Sequence, residues 1–347
     1  TVEGGFFVLP AQWKKVSEVW VPYHTENWDT TDWRQSCSGC HVTGLDTEKW
    51  EFTEFGIGCE SCHGPGLEHS QNPEETKPFA EVDDQVCGAC HSRGKSPDGL
   101  PFPTTYHPGD VLAEHFTFSD DPNDLWPDGS ARMHTQQYTD WQLGSTMSLA
   151  VSTSCTSCHT VHELGNGPGQ LVEPLNEVCL QCHNDKRKIV QHMPYHEVAS
   201  RTNDFTCADC HMPKMATSAE PFDSRSHSFL QPNPQGSIDH GGVEVMPNAC
   251  NLCHADHGED LEWAIETIAY SSETRSQNDN VFGPGATPTS PPPPTPVPSV
   301  GQPVETVHDA PGGWLRTSAF VAAGLVMLLI VLAIGAYARA RSCLLYT

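Results

Sequence analysis

Residues 155–162 read CTSCHTVH: Cys155, Cys158 and His159 at Cys-x-x-Cys-His spacing, with a second histidine, His162, three positions on. The same five-residue pattern recurs at Cys37/Cys40/His41, Cys59/Cys62/His63, Cys87/Cys90/His91, Cys179/Cys182/His183, Cys207/Cys210/His211 and Cys250/Cys253/His254. Fourteen of 15 cysteines are used in this way, leaving only Cys343. With histidine at 19 of 347 positions, seven random cysteine pairs would be followed by one about 0.4 times, so the pattern is a signature, that of c-type haem attachment. The spacing has a mechanical reason. Positions i, i+3 and i+4 share one side of a helical turn, so two thiols can bond the porphyrin edge while the imidazole reaches the iron as proximal ligand. Zinc knuckles do not need the histidine and would use two pairs per ion, which seven pairs cannot supply evenly. A disulfide framework built from one repeated short spacing would staple so long a chain poorly.

Seven covalently bound haem c groups between residues 37 and 254 leave little room for an aliphatic core. The apolar content is only 37%, and 28 Gly and 29 Pro favour loops. The expected fold is therefore mainly α with extensive loops, a multihaem cytochrome c head (1–282) in which short helices wrap around haems, plus one C-terminal transmembrane helix. Cofactors packed so densely must lie close together, and electron transfer between them follows.

Beyond the proximal set His41, His63, His91, His159, His183, His211 and His254, twelve histidines remain. His308 lies in a linker. The other eleven are enough to give every iron a second imidazole, making low-spin haems that bind no substrate.

The stretches WVPYHTENW, CSGCHVTGLD, GIGCESCHGPGLEH, VCGACHSRG, ARMHTQQYTDW, CTSCHTVH, CADCHMP and NACNLCHADHGEDLEWAIETIA resemble multihaem c-type cytochromes related to the nitrifier tetrahaem cytochrome. The likeness to pentahaem nitrite reductase and octahaem hydroxylamine oxidoreductase is more distant. The resemblance spans roughly residues 8 to 270 and implies distal ligands at His24, His69, His134 and His162, followed by His107, His196 and His227. It implies a non-ligating surface role for His257. It also implies a further motif upstream of the segment matching FFVLPAQW, in which case the complete protein holds eight haems. Where relatives carry Ser-x-His before the fourth pair, this chain has Ser145-Thr146-Met147. Met147 is then either an axial ligand that raises one haem's potential or an ordinary buried apolar side chain. The Cys-x-x-Cys-Lys site that nitrite reductases use for substrate does not occur.

His159 follows His91 by 68 positions, with His107, His115, His134 and an acidic run at Asp120, Asp121, Asp124 and Asp128 between them. The run offers oxygen ligands for Ca2+ without matching the helix-loop-helix pattern, and the alternative is a solvated acidic loop. Leu261, Ala264, Ile265 and Ile268 repeat at helical spacing and predict a closing helix against the last haem. Residues 283–313 form a Pro-rich linker. Its stretch TPTSPPPPTPVPSVGQP spans roughly 50 Å as polyproline at ~3.1 Å per residue.

Residues 314–341 hold a transmembrane helix and its flanks, with Ala319 to Ala338 uncharged and long enough to cross about 30 Å of hydrocarbon. Arg339 and Arg341 beyond it, against Arg316 before it, place the short tail 342–347 in the cytoplasm. The haem head is then periplasmic or extracellular, in the compartment where c-type haem is attached, which requires an export signal. Cys343 on the reducing side is read as a free thiol, with lipidation a minor option.

A formal charge of -26, from 44 acidic against 18 basic residues, excludes nucleic acid as a partner. It suits redox partners that present a basic patch, a quinol-oxidising membrane complex among them. These features point to a membrane-anchored heptahaem electron carrier, with a reductase of small nitrogen or sulfur compounds as the alternative. A site for such an oxyanion would need free basic residues, and Arg93, Lys95, Arg132, Lys186, Arg187, Lys188, Arg201, Lys214 and Arg225 are the candidates in the head.

Overall fold

The computed structural model describes residues 5–15, 17–144, 153–167, 169–184, 206–254 and 261–269. All of them fall within one compact unit, Thr1–Gly285. Among the described residues the helices run from four residues (Trp33–Ser36) to nine (261–269), linked by long loops, as the composition predicts. The closing helix 261–269 forms where the apolar spacing places it, with Ala264 fully buried and Trp263 on the His254 ring at 4.9 Å.

Each motif sits on or at the end of a short helix: Ser38–His41, Cys59–His63, Asp84–Gly88, Cys155–Cys158, Leu175–Leu180, Cys207–His211 and Ala249–His254. Local chemistry starts these turns. The Ser157 hydroxyl accepts the Ser154 N–H at 3.0 Å, and the Asp209 carboxylate accepts the Thr206 N–H at 2.7 Å, so the residue before the first cysteine and the second spacer residue cap the turn together. Asp83 caps the helix leading into the third motif by accepting the Gln85 N–H at 3.0 Å. At the first motif Gly39 is required by packing: a Cβ there would stand 2.1 Å from the ring of buried Phe102.

Among the described residues four two-stranded antiparallel ribbons accompany the helices, a feature that helical spacing in the motifs does not announce. Three of them begin just after a motif histidine. Val42–Thr43 pairs with Glu54–Phe55, Gly94–Lys95 with Thr117–Phe118, and Lys214–Ala216 with Ser224–Arg225. The chain leaves these motifs extended and folds back on itself. Ala11–Lys14 with Val19–Pro22 is the fourth, carrying Trp13 against Trp20 at 5.6 Å.

The side-chain core is small. One cluster is Leu112, Phe116 and Tyr138, and a second is Trp126, Met215 and Met246. Phe55, Ile57, Leu67, Val161 and Leu164, all near a motif or a candidate axial histidine, are exposed apolar side chains that a bound porphyrin could cover.

No helix among the described residues is long and apolar enough to cross a membrane. The expected span, the Pro-rich linker and the cytoplasmic tail lie outside the described residues, as do Met147 and His196. The acidic run does not gather into a cation site: no group of three or more His, Cys, Asp or Glu among the described residues could hold a metal ion. Asp124 instead pairs with Arg93 at 2.8 Å, Asp121 caps Asn123, and Asp128 accepts from the Ser130 N–H and hydroxyl. The expectation of Ca2+ at this run therefore lacks support, because Asp121 and Asp124 are engaged in a local turn and with a guanidinium and the four carboxylates do not converge.

Candidate haem sites

In the third, fourth and fifth motifs the histidine N–H bonds the carbonyl of the first cysteine, from His91 to Cys87 at 2.8 Å, His159 to Cys155 at 2.9 Å and His183 to Cys179 at 2.9 Å. One helical turn thus sets both thiols and the imidazole on one side, as the spacing requires.

The ring orientations are set by Nδ1. His63 bonds the Phe79 carbonyl at 2.5 Å, His159 that of Gly169 at 2.7 Å and His211 that of Gln231 at 3.1 Å, while His91 meets the Gln137 side-chain amide oxygen at 3.0 Å. A carbonyl can only accept, so Nδ1 carries the proton and Nε2 is left with the lone pair that binds a metal.

Two candidate distal histidines face proximal ones. His63 and His162 have ring centres 6.0 Å apart with planes 11° from parallel, and His159 and His227 stand 6.3 Å apart at 25°. With imidazole–metal bonds of about 2 Å on each side, an iron held between two imidazoles needs ring centres roughly 6.3 Å apart. The ring spacing of both pairs matches that distance. Burial pushes the His227 imidazole down to about 4, so it is neutral and fit to ligate. Its Nδ1 bonds the Arg225 carbonyl at 3.1 Å.

The remaining candidates are placed as follows. His69 bonds the Thr76 carbonyl through Nδ1 at 2.7 Å. His24 holds the Asn27 side-chain oxygen at 3.2 Å and lies near His134, whose charged form is disfavoured first by burial, then by Arg93 and by His24. His107 is exposed, its Nδ1 3.5 Å from Asp110. His115, its neighbour around Asp110, uses both nitrogens, at 2.8 Å to the Thr105 hydroxyl and 3.6 Å to the carboxylate.

The thiols adjoin from motif to motif. Cys40 lies beside Cys90, Cys87 beside Cys155, and Cys179 beside Cys207. Cys62 lies within electrostatic reach of Cys87 and Cys90, Cys158 of Cys182, and Cys210 of Cys250 and Cys253. These proximities link all seven motifs, the first and second both adjoining the third and the rest following in chain order.

Supporting residues that motif reading missed bind this framework. Asp140, buried, accepts the Ala131 N–H at 2.7 Å through one oxygen, and the His227 N–H at 2.7 Å and Ser226 hydroxyl at 2.9 Å through the other. Asp84 accepts the Trp141 indole N–H at 3.0 Å and the Cys155 N–H at 2.8 Å. Arg225 clamps Asp209 at 2.8 Å and the Ala208 and Met212 carbonyls, fastening the sixth motif. Burial tends to raise the Asp209 pKa, but the bonds from Arg225 and Thr206 outweigh it and hold the carboxyl below its ordinary value. Of Asp140, Asp84 and Arg225, only Asp84 had a signal in the sequence, its place just before the third motif.

Residues 12–64 match the family of cytochrome c554 and c-prime, and residues 149–188 match the doubled CXXCH motif. The chain is similar to the outer cell wall cytochrome OcwA, with 26% identity and a TM-score of 0.60 over 80% of this chain and 71% of that one. An undecaheme cytochrome from the S-layer of Carboxydothermus ferrireducens matches with 19% identity and a TM-score of 0.42, over 79% of this chain and 51% of that one. No curated protein matches. The narrower kinship with nitrite reductase and hydroxylamine oxidoreductase is not part of what these matches carry. Motifs, family matches and the likeness to OcwA agree on the broader class: the chain is a multihaem c-type cytochrome.

Proposed function

We propose that this chain is a membrane-anchored heptahaem electron carrier with its haem head outside the cytoplasm, held by the apolar segment 319–338. Each Cys-x-x-Cys pair holds one haem and the following histidine is its proximal ligand. His162 and His227 close the opposite faces of the second and fourth haems, and His24, His69 and His134 serve others. When bound, haem supplies a one-electron Fe(III)/Fe(II) couple. The protein's part is to orient the imidazoles through their Nδ1 hydrogen bonds and to bring close together the motifs that would carry neighbouring haems.

The observation that carries this reading is the proximity of the motif thiols, which links each of the seven motifs to at least one other. The basic residues add to it. Arg93 and Arg225 are committed to Asp124 and Asp209, and Arg132 lies over the Trp126 ring at 4.9 Å, so three candidates for an oxyanion site already have structural work. Donor and acceptor are redox proteins with basic docking patches.

Mass spectrometry of the exported full chain should find seven attached haems, and the reduced protein should bind no carbon monoxide. A carbon monoxide shift or a high-spin ferric signal would overturn the pure carrier in favour of a reductase with one open iron.

A further inference from the structure

The helix Gln137–Leu143 touches more of the haem framework than its seven residues suggest. Gln137 meets His91, the Tyr138 N–H bonds the His91 carbonyl at 3.0 Å, Asp140 holds the His227 backbone, and Trp141 reaches Cys155 through Asp84. Tyr138, Asp140 and Trp141 are buried, so the backbone carrying Gln137 is pinned just downstream. We propose that Gln137 sets the reduction potential of the haem on the third motif through its hydrogen bond to His91. This rests on the reading of His91 as that haem's proximal ligand.

With Nε2 on iron, the ring proton stays on Nδ1, so Nδ1 donates and the amide must present its oxygen. The distance is 3.0 Å. His63, His159 and His211 donate instead to backbone carbonyls, whose acceptor strength no side-chain substitution alters directly. At His91 the acceptor is a side chain, and its strength is open to change. A stronger acceptor draws the Nδ1 proton, increases electron density at Nε2 and favours Fe(III), while loss of the acceptor favours Fe(II). The coupled step is the addition of one electron to Fe(III), and no proton need leave the ring.

The test uses the haem-loaded full chain, titrated spectroelectrochemically with a chemical reductant and followed by electron paramagnetic resonance. Gln137→Glu, nearly isosteric, should move one midpoint negative. Gln137→Leu should move the same midpoint positive, with the others unchanged. Unmoved midpoints, or movement in the same direction in both variants, would overturn the proposal, the second because it marks mere structural disturbance. If Gln137→Leu fails to load haem, Gln137→Glu alone decides by the presence or absence of its negative shift. Peptide mass across Cys87 and Cys90 separates the two levels. Missing haem there in the unmodified chain refutes the broader reading, whereas attached haem with unmoved midpoints refutes only the role of Gln137.

Discussion

His162 follows His159 by three residues, yet its ring faces His63, while His159 faces His227. On the proposed ligation, one short segment serves two haems. Replacing His162 by Ala should therefore leave the second haem, not the fourth, five-coordinate. The reduced variant should bind one equivalent of carbon monoxide, and His227→Ala should open the fourth haem instead. Resonance Raman spectra of the two variants would check the assignment.

The depressed value of His227 has a pH consequence. Below the ordinary histidine value of 6.5 the unfolded chain takes up a proton that the native chain refuses, since burial disfavours the imidazolium and, in the haem-loaded protein, the proposed iron bond would occupy Nε2. Stability therefore falls as pH drops below that value. Denaturant midpoints of the haem-loaded chain at pH 7 and pH 5 should show this loss, and it should shrink in His227→Ala. Asp140→Ala leaves the Ala131 and His227 N–H groups without their buried acceptor, which costs about 1–3 kcal/mol per group. The removed desolvation of the carboxylate offsets part of this. Thermal melts should show net destabilisation, with a high-spin fraction from the loosened His227. None of this could be read from Asp140 in isolation, because a mid-sequence aspartate becomes an anchor only when Ala131 and Ser226 are folded onto it.

Among the elements, the motif turns were legible: cysteine and histidine spacing, with Ser154 and Thr206 as caps, dictates a helical turn wherever it occurs. The closing helix was legible for the same reason, since Leu261, Ala264, Ile265 and Ile268 share one face. The ribbons were not, because two-residue pairings such as Val42–Thr43 with Glu54–Phe55 depend on a return of the chain and not on local propensity. Gly39 shows the same limit. It reads as a mere spacer within a motif, but Phe102 from a distant loop lies against it. Gly39→Leu should destabilise the first motif's turn by about 1–3 kcal/mol through overpacking. Thermal melts should show it, and Gly99→Ala, at a site where a Cβ meets nothing but φ is +84°, should show only the smaller cost of backbone strain.

At the scale of the molecule, the charge of -26 acts on partners more than on the fold. Association with a basic redox protein should weaken steeply with salt, as the screening length falls from about 8 Å at physiological ionic strength to about 3 Å at 1 M. Stopped-flow association rates against ionic strength would show it, and a flat profile would remove the electrostatic docking proposed for the head. The residue chemistry itself determined that this chain carries haem: seven repeats of one covalent spacing, a shortage of aliphatic core and a surplus of histidine follow from composition and local geometry alone. Only the tertiary structure decided which histidine faces which, which motif adjoins which, and that a glutamine supports one proximal ring. Axial pairing and cofactor order join residues many turns apart, and no local rule of spacing reaches that far.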